Sequence, residues 1–521
     1  MSNKDIVQNK SQRFDNFVKE IKSTPNIRKA MRKNFEQQLS VGIIPIASVK
    51  IPDYKRDELP PTLTALQHIF TTPELNQAVF GILEDSIMKN KNKTGRTGMD
   101  LWQILVLGIV RMTLDANYDR LWDIANHHKL VRQIMGIEPD EFSGFEERKL
   151  IPYTTIRENV KLLDEATIEK INEVVVKAGH QLVKKKDEKL IVKADTYVLE
   201  SNVHFPTDIN LTWDSSRKCV DTIENIIKGI ETGAEGWRKS KFWKRSIKNQ
   251  CRVLSKTCVG GGKGKEKKVK QQAAEYLRLA RKLSEKIKEF TEEYLPRITT
   301  RSQLAQMLSL EYYYDMLNKH IDLIERRIMK GETIPHADKL FSIFEPHVEW
   351  IKKGKMNNKV EIGHKVLIAT DQFHFILLHQ VIEHKEDVEL SIQLADKLLR
   401  CFGENSIAGL SFDKGFWKKE YKELLQLYIR VVIMPKKGKK NQAEQEEEST
   451  KEFKKLRNKH SAVESNINCL EHHGLNRCPD KGLKGFKKYT SMGVLAYYLH
   501  RFGNVIMSVR EKERESLDKA A

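Results

Sequence analysis

The stretch KLIVKADTYVL, Lys189 to Leu199, carries the reading of the fold. It is short, apolar and bounded by charge, the pattern of a buried strand, and the strand ends near Asp195. Similar texture returns downstream in HKVLIATD (His364 to Asp371) and FHFILLHQVI (Phe373 to Ile382), joined by a tight turn. DVELSIQLADKLLRCF then reads as a helix, SIAGLSFD as a strand ending at Asp413, FWKKEYKELLQLY as a helix and IRVVIMP as a strand. After the loop KKGKKNQ, a long charged helix is expected over roughly residues 443–472, and it carries Glu464.

Between the first strand and the second lies a long helical pattern, from about Asp221 to Met329. Tyr276, Leu279, Leu283, Ile287 and Phe290 recur at helical spacing, and Pro296 breaks the run. On the N-terminal side, Trp102, Leu105, Ile109 and Met112 mark an amphipathic helix. Two shorter periodic segments follow, YDRLWDIANHH and LVRQIMGI, the first of them after the breaker Asp115-Ala116-Asn117. Three short helices with brief connections fit either a helix-turn-helix DNA reader or an all-helical packing domain. No internal repeat is found, and the only biased segments are the Gly/Lys loop and the acidic run Glu446 to Glu448.

With the helical insertion set aside, the order of elements is that of the RNase H-like fold, a mixed sheet with helices on its faces. The expected fold class is therefore α/β, with a large helical insertion after the first strand and a helical N-terminal domain. The expected division is a polar helical region over 1–95, with a linker near Lys89 to Gly98, and a helical DNA-binding or packing domain over 96–180. A catalytic domain follows over 181–213 and 340–505, interrupted by the insertion at 214–339, and a charged tail occupies 506–521.

Composition narrows the partners. The 521 residues carry 91 Lys and Arg against 71 Asp and Glu, a formal charge of +20, which points to a polyanion and first of all to nucleic acid. With 31% charged residues, and no apolar run near the roughly 20 residues that a spanning helix needs, no membrane role is expected. The first ten residues hold no apolar signal region, and the six cysteines are scattered without regular spacing. Both features suit a cytoplasmic protein with reduced thiols.

Three acids stand where that element order brings chain segments together. Asp195 lies on the first strand, Asp413 at the end of the fourth and Glu464 on the last helix. First and fourth strands are neighbours in this fold, and the last helix crosses the same sheet edge. Carboxylate oxygens suit hard divalent cations. Two such ions about 3.5–4 Å apart activate a water or a 3′-hydroxyl and stabilise the leaving oxygen of a phosphodiester.

Around these acids the motifs become recognisable. ADTYVLESNVHFPTD (Ala194 to Asp208) resembles the first-aspartate segment of bacterial insertion-sequence DDE transposases, and SFDKGF (Ser411 to Phe416) the second. HSAVESNINCLEHHGLNRCPDKGLKGF (His460 to Phe486) is similar to their glutamate segment, and HVEWIKKGK (His347 to Lys355) also resembles them. The resemblance runs from about Leu101 to Gly503. It implies an enzyme that binds the terminal inverted repeats of a mobile element, nicks the DNA and joins the freed 3′ ends to target DNA. Asp195, Asp413 and Glu464 would then be the catalytic metal ligands for two Mg²⁺ ions, with Mn²⁺ able to substitute, and a homodimer would hold the two ends. One signature of related enzymes, a Tyr and Arg before the Glu and a Lys seven residues after it, is not met: His460 stands four before Glu464 and Glu471 seven after.

Candidate nucleic-acid contacts fall into three groups. WRKSKFWKR supplies Trp237, Arg238, Lys241, Trp243, Lys244 and Arg245, either a stacking and backbone-binding surface or a solvated helix with its aromatics inside. Lys436 and Lys437 belong to a phosphate-contacting or merely solvated loop. Arg457, Lys459, Arg477 and Lys484 surround the glutamate segment. Asp371, between two strands, suits a turn better than catalysis. Two other functions keep the same fold: a non-catalytic DNA-binding protein derived from a transposase, and a metal-dependent nuclease that never joins strands.

Overall fold

The computed structural model describes residues 43–53, 56–89, 98–139, 150–228, 237, 239–352, 360–385, 387–436 and 438–520. Residues 90–97 of the expected linker lie outside them. The protein is a mixed α/β structure, mostly helical, with a seven-stranded mixed sheet and a helical N-terminal region.

Among the described residues, seven α-helices precede the sheet: α1 (Leu59–Thr71), α2 (Pro73–Ile87), α3 (Leu101–Thr113), α4 (Tyr118–His127), α5 (Lys129–Ile134), α6 (Tyr153–Val160) and α7 (Glu165–Val183). The first two depart from the polar character expected of residues 1–95. Leu63, Leu66, Ile69, Val79 and Leu83 are almost wholly buried. In α3 every residue but Gln103 is buried, so it is apolar all round and sits at the centre of the helical layer. A helix enclosed on all sides has no face to lay in a DNA groove. Asn117 caps α4, its side chain accepting from the Arg120 N–H, which is why the chain restarts a helix there.

Strand β1 (Leu190–Ser201) follows, then four long helices: α8 (Asp208–Lys228), α9 (Ser240–Val259), α10 (Lys265–Tyr294) and α11 (Arg301–Ile324). The helical run begins at Asp208, thirteen residues before the expected Asp221. Tyr276, Leu283, Ile287 and Phe290 point into a core made chiefly by these four helices and separate from the core around the sheet, while Leu279 is only partly buried at its margin. Each such side chain contributes about 1.5–3 kcal/mol on burial, so this segment carries its own apolar stabilisation.

The remaining elements are β2 (Glu349–Lys352), β3 (Val360–Thr370), β4 (Ile376–Ile382), α12 (Asp387–Phe402), β5 (Ile407–Phe412), α13 (Lys419–Gln426), β6 (Val431–Ile433), α14 (Gln442–Ser449), α15 (Lys451–His460), α16 (Ala462–Leu470), β7 (Arg477–Cys478) and α17 (Gly482–Ala520). The single helix expected over 443–472 is three. Thr450 breaks it in extended conformation and caps α15 by accepting from the Phe453 N–H, and a turn at Ser461 separates α15 from α16.

In the sheet, β1 pairs antiparallel with β3 and parallel with β5, and β6 runs parallel beyond β5. The far edge of β3 is shared by β4 and the short β2, both antiparallel to it. β7 adds two residues beside Glu200 and Ser201. Neither β2 nor β7 is expected from the sequence: β7 is only two residues long, and β2 lies in the charged stretch HVEWIKKGK rather than in an apolar run.

Helix α17, about 58 Å long at 1.5 Å per residue, packs against α1, α3 and α7 and ties the N-terminal helices to the sheet layer. Its last residues are those expected as a charged tail, and they continue the helix. Gly503 permits the crossing with α1: a Cβ there would lie 1.8 Å from the Pro61 carbonyl oxygen.

Candidate active site

The parallel register of β1 and β5 sets Lys193 beside Ser411 and Ala194 beside Phe412. The next residue in each segment is an acid: Asp195, mid-way along β1, and Asp413, just past the end of β5. Adjacent strands lie about 4.8 Å apart, so two residues 218 positions apart in sequence become neighbours. Asp413 opens a short turn, Lys414–Phe416, in which Phe416 is buried against the Phe412 ring at 5.1 Å. That aromatic anchor fixes the turn and leaves the Asp413 side free.

Asp195 reports its surroundings. Its carboxyl is pushed up to about 6, first by burial, then by the charges of Asp413, Asp387 and Glu464. The Thr196 N–H, donating to Oδ1 at 2.7 Å, works the other way without cancelling them. Three carboxylates from three other segments of the chain therefore lie within electrostatic reach of Asp195.

Glu464 sits in the first turn of α16, where the helix dipole favours an anion. The helix is docked through buried Val463, Asn466 and Leu470. Asn466 Oδ1 accepts from the Tyr497 hydroxyl at 3.1 Å and lies 3.1 Å from His374 Nδ1.

Three members of the site carry no local signal in the sequence. Asp387, the first residue of α12, accepts from the Lys365 ammonium at 3.0 Å and the Thr196 hydroxyl at 3.3 Å. Gly415 makes room for it, since a Cβ there would meet Asp387 Oδ2 at 3.3 Å. In sequence an acid at a helix start reads only as a cap. His460, at the end of α15, has Nδ1 3.1 Å from the Ser411 hydroxyl. Burial and then Lys193 hold its imidazole below the usual histidine range, against Asp413 and Glu464. Lys193 is buried, reaches the Asp371 carbonyl oxygen at 3.4 Å, and has its ammonium pushed down by burial and by Lys459.

The donor set is carboxylate oxygen with negative charge in excess, which fits a hard divalent cation. As placed, no three His, Cys, Asp or Glu side chains among the described residues converge closely enough to hold one ion. Charge and donor chemistry favour a cation; the side-chain positions would have to shift to close around it.

The other acids have structural partners. Asp371 is the turn acid, its Oδ1 accepting from the Phe373 and Phe375 N–H groups at 2.8 and 2.9 Å, and its Oδ2 lying 2.6 Å from His180. Asp208 pairs with Arg327 at 3.0 Å. His204 lies 2.6 Å from Asp214, which pulls its imidazole upward.

Protein-family models, curated proteins and solved structures were compared with the chain. It matches none of them. No helix among the described residues is long and apolar enough to cross a membrane, and all six cysteines are free thiols.

The structure corrects part of the expected nucleic-acid surface. Trp237 and Trp243 are buried at 7% and 9% exposure in the insertion core, so neither ring is open to a base. Trp237 packs against Phe290 instead, 5.8 Å between ring centres. Lys244 is held by Asp221 and Glu224, each at 2.9 Å, while Lys241 and Arg245 are exposed. Lys436 is bound by both oxygens of Glu444 at 2.8 Å, so its charge is already neutralised. Lys459 is exposed beside buried Lys193. Arg457 and Arg477 make loose pairs with Glu448 (3.9 Å) and Glu200 (3.5 Å), and Lys484 acts on Asp164 at the start of α7. Arg238 and Lys437 lie outside the described residues.

Proposed function

We propose that the protein is a DDE transposase with an RNase H-like catalytic core, acting on the terminal repeats of an insertion sequence. The observation that carries the reading is the placement of Asp195, buried on β1 with its carboxyl raised first by that burial and then by the charges of Asp413, just past the neighbouring strand, Asp387 and Glu464. The sheet order supports it. Apart from the short β2 and β7, the strands run β4-β3-β1-β5-β6, with the first and fourth strands of this set adjacent and parallel. That is the neighbour relation the fold needs to bring its acids together. The motifs around Asp195, Asp413 and Glu464 point the same way, as does the charge of +20.

Asp195, Asp413 and Glu464 would hold two Mg²⁺ ions, with Mn²⁺ as a substitute. Bound there, the ions would supply a nucleophile at neutral pH and stabilise the leaving oxygen. The chain's own residues do the rest. Asp387, held by Lys365, accepts from the Thr196 hydroxyl and lies beside Gly415 in the turn after Asp413. His460, 3.1 Å from the Ser411 hydroxyl, has its imidazole held below the usual histidine range by burial, which disfavours a further cation there. Two ends of one element call for two active sites, which a homodimer would supply.

The test is cleavage and joining of linear DNA carrying the element's terminal repeats, in Mg²⁺, by wild type and Asp413→Ala. The proposal expects nicked ends and joined product from wild type and a loss of at least about 100-fold in the variant, the scale of several kcal/mol of charge stabilisation. Cleavage surviving the substitution would refute the site. Cleaved ends without joined product would leave a nuclease.

A further inference from the structure

A second charged feature lies on the helical insertion, formed by α8 and α9. Lys241, Arg245, Lys248 and Arg252 recur at four- and three-residue steps along α9 and so share one face. All four are exposed, and no carboxylate among the described residues pairs with any of them. Together with Trp213 and Arg217 of α8 they line an open cleft of about 610 Å³. Trp213 is the partly buried aromatic here, with the Lys248 ammonium 5.8 Å from its ring centre. Lys244 also lines the cleft, but Asp221 and Glu224 neutralise it.

We infer that this cleft is a binding site for the phosphate backbone of duplex DNA, separate from the four acids. The inference rests on the transposase reading for its partner and adds the surface that grips it. From Lys241 to Arg252 the stripe spans about 16 Å, eleven residues at 1.5 Å each. Phosphates recur every 3.4 Å of axis along one strand, so the stripe is long enough to follow several of them. Unpaired cations standing in water are the groups that release counterions when phosphates replace their solvent. The lining is dominated by cations, which hold phosphates whatever the bases between them, so the site grips DNA without choosing its sequence. It also replaces Trp237 and Trp243, whose rings are buried, as the aromatic and basic surface of this segment.

The experiment measures binding of a 30-base-pair duplex of arbitrary sequence by the full chain, across a range of salt concentrations. Wild type is compared with the quadruple variant Lys241→Gln, Arg245→Gln, Lys248→Gln, Arg252→Gln. The slope of log affinity against log salt should flatten by about 0.9 for each phosphate that the variant no longer neutralises, roughly 3 to 4 in all. Unchanged melting of the variant shows that the fold is kept, as expected for four exposed positions. A variant slope equal to that of wild type overturns the inference, and so does single-stranded RNA bound tenfold more tightly than the duplex. If wild type itself shows no salt-dependent DNA binding, the transposase reading falls as well. If wild type binds and the slope is unmoved, only the cleft is wrong.

Discussion

Asp195 and Asp413 stand one residue beyond the register pair Ala194–Phe412 of two neighbouring parallel strands, Asp195 within β1 and Asp413 just past the end of β5. The like charge of Asp413 contributes to holding the Asp195 proton to about pH 6. Repulsion of this kind costs the fold stability, and the site tolerates it because burial of Val192, Ala194 and Leu199 on the same strand outweighs it. Removing the charge should recover that cost.

Asp195→Asn should stabilise the protein at pH 8. The folded state binds the Asp195 proton more tightly than the unfolded chain, whose ordinary value is 3.8. Its contribution to stability is therefore complete below about pH 3.8 and is lost as pH rises through about 6. The neutral side chain should recover about 2–3 kcal/mol at pH 8 and nothing near pH 3.5. Urea denaturation at the two pH values measures this, and an equal effect at both would contradict it.

Lys365→Met should move the acid limb of DNA cleavage to higher pH. The Lys365 ammonium neutralises Asp387 at 3.0 Å, and Asp387 is one of the charges acting on Asp195. Without the ammonium, Asp195 faces an uncompensated neighbour and holds its proton longer, by roughly half a pH unit. A pH–rate profile unchanged in position would show that Asp387 and Asp195 do not communicate.

Gly503→Ala should destabilise by about 1–3 kcal/mol or more, since α1 and α17 must separate to admit a methyl group at the Pro61 carbonyl. Thermal unfolding measures it. Gly438→Ala serves as a comparison with open space but a left-handed φ of 86°, so its cost comes from backbone strain alone.

Much of the sheet was legible because β1, β3, β4, β5 and β6 each occupy apolar runs set off by charge or turn residues. Asp413 was readable as a residue at a strand end and Glu464 as a member of a helix near the C-terminus, whereas the strand expected to end near Asp195 runs on to Ser201 and leaves Asp195 in its middle. Other features depended on tertiary contacts that leave no local mark. Asp387 looks like a helix-capping acid until Lys365 and Thr196 are seen beside it. His460 looks like one more polar residue in a charged helix until α15 lays it against Ser411. The two tryptophans of WRKSKFWKR alternate with cations just as a nucleic-acid surface would. Helical spacing along α9 turned Trp243 inward and left Lys241 and Arg245 outside, while Trp237, ahead of the helix, packs against Phe290. The break at Thr450 was hidden because the flanking residues, Glu446 to Glu448 and Lys451 to Lys455, all favour helix.

The central claim is that Asp195, Asp413 and Glu464 act together on a pair of divalent ions. Its most direct measurement is calorimetric titration of Mn²⁺ into the DNA-bound protein at pH 8, for wild type, Asp195→Asn and Asp413→Asn. Two ions per chain in wild type, with at least one fewer in each variant, is the predicted result. Identical binding in all three proteins, or no binding by wild type, would contradict the account.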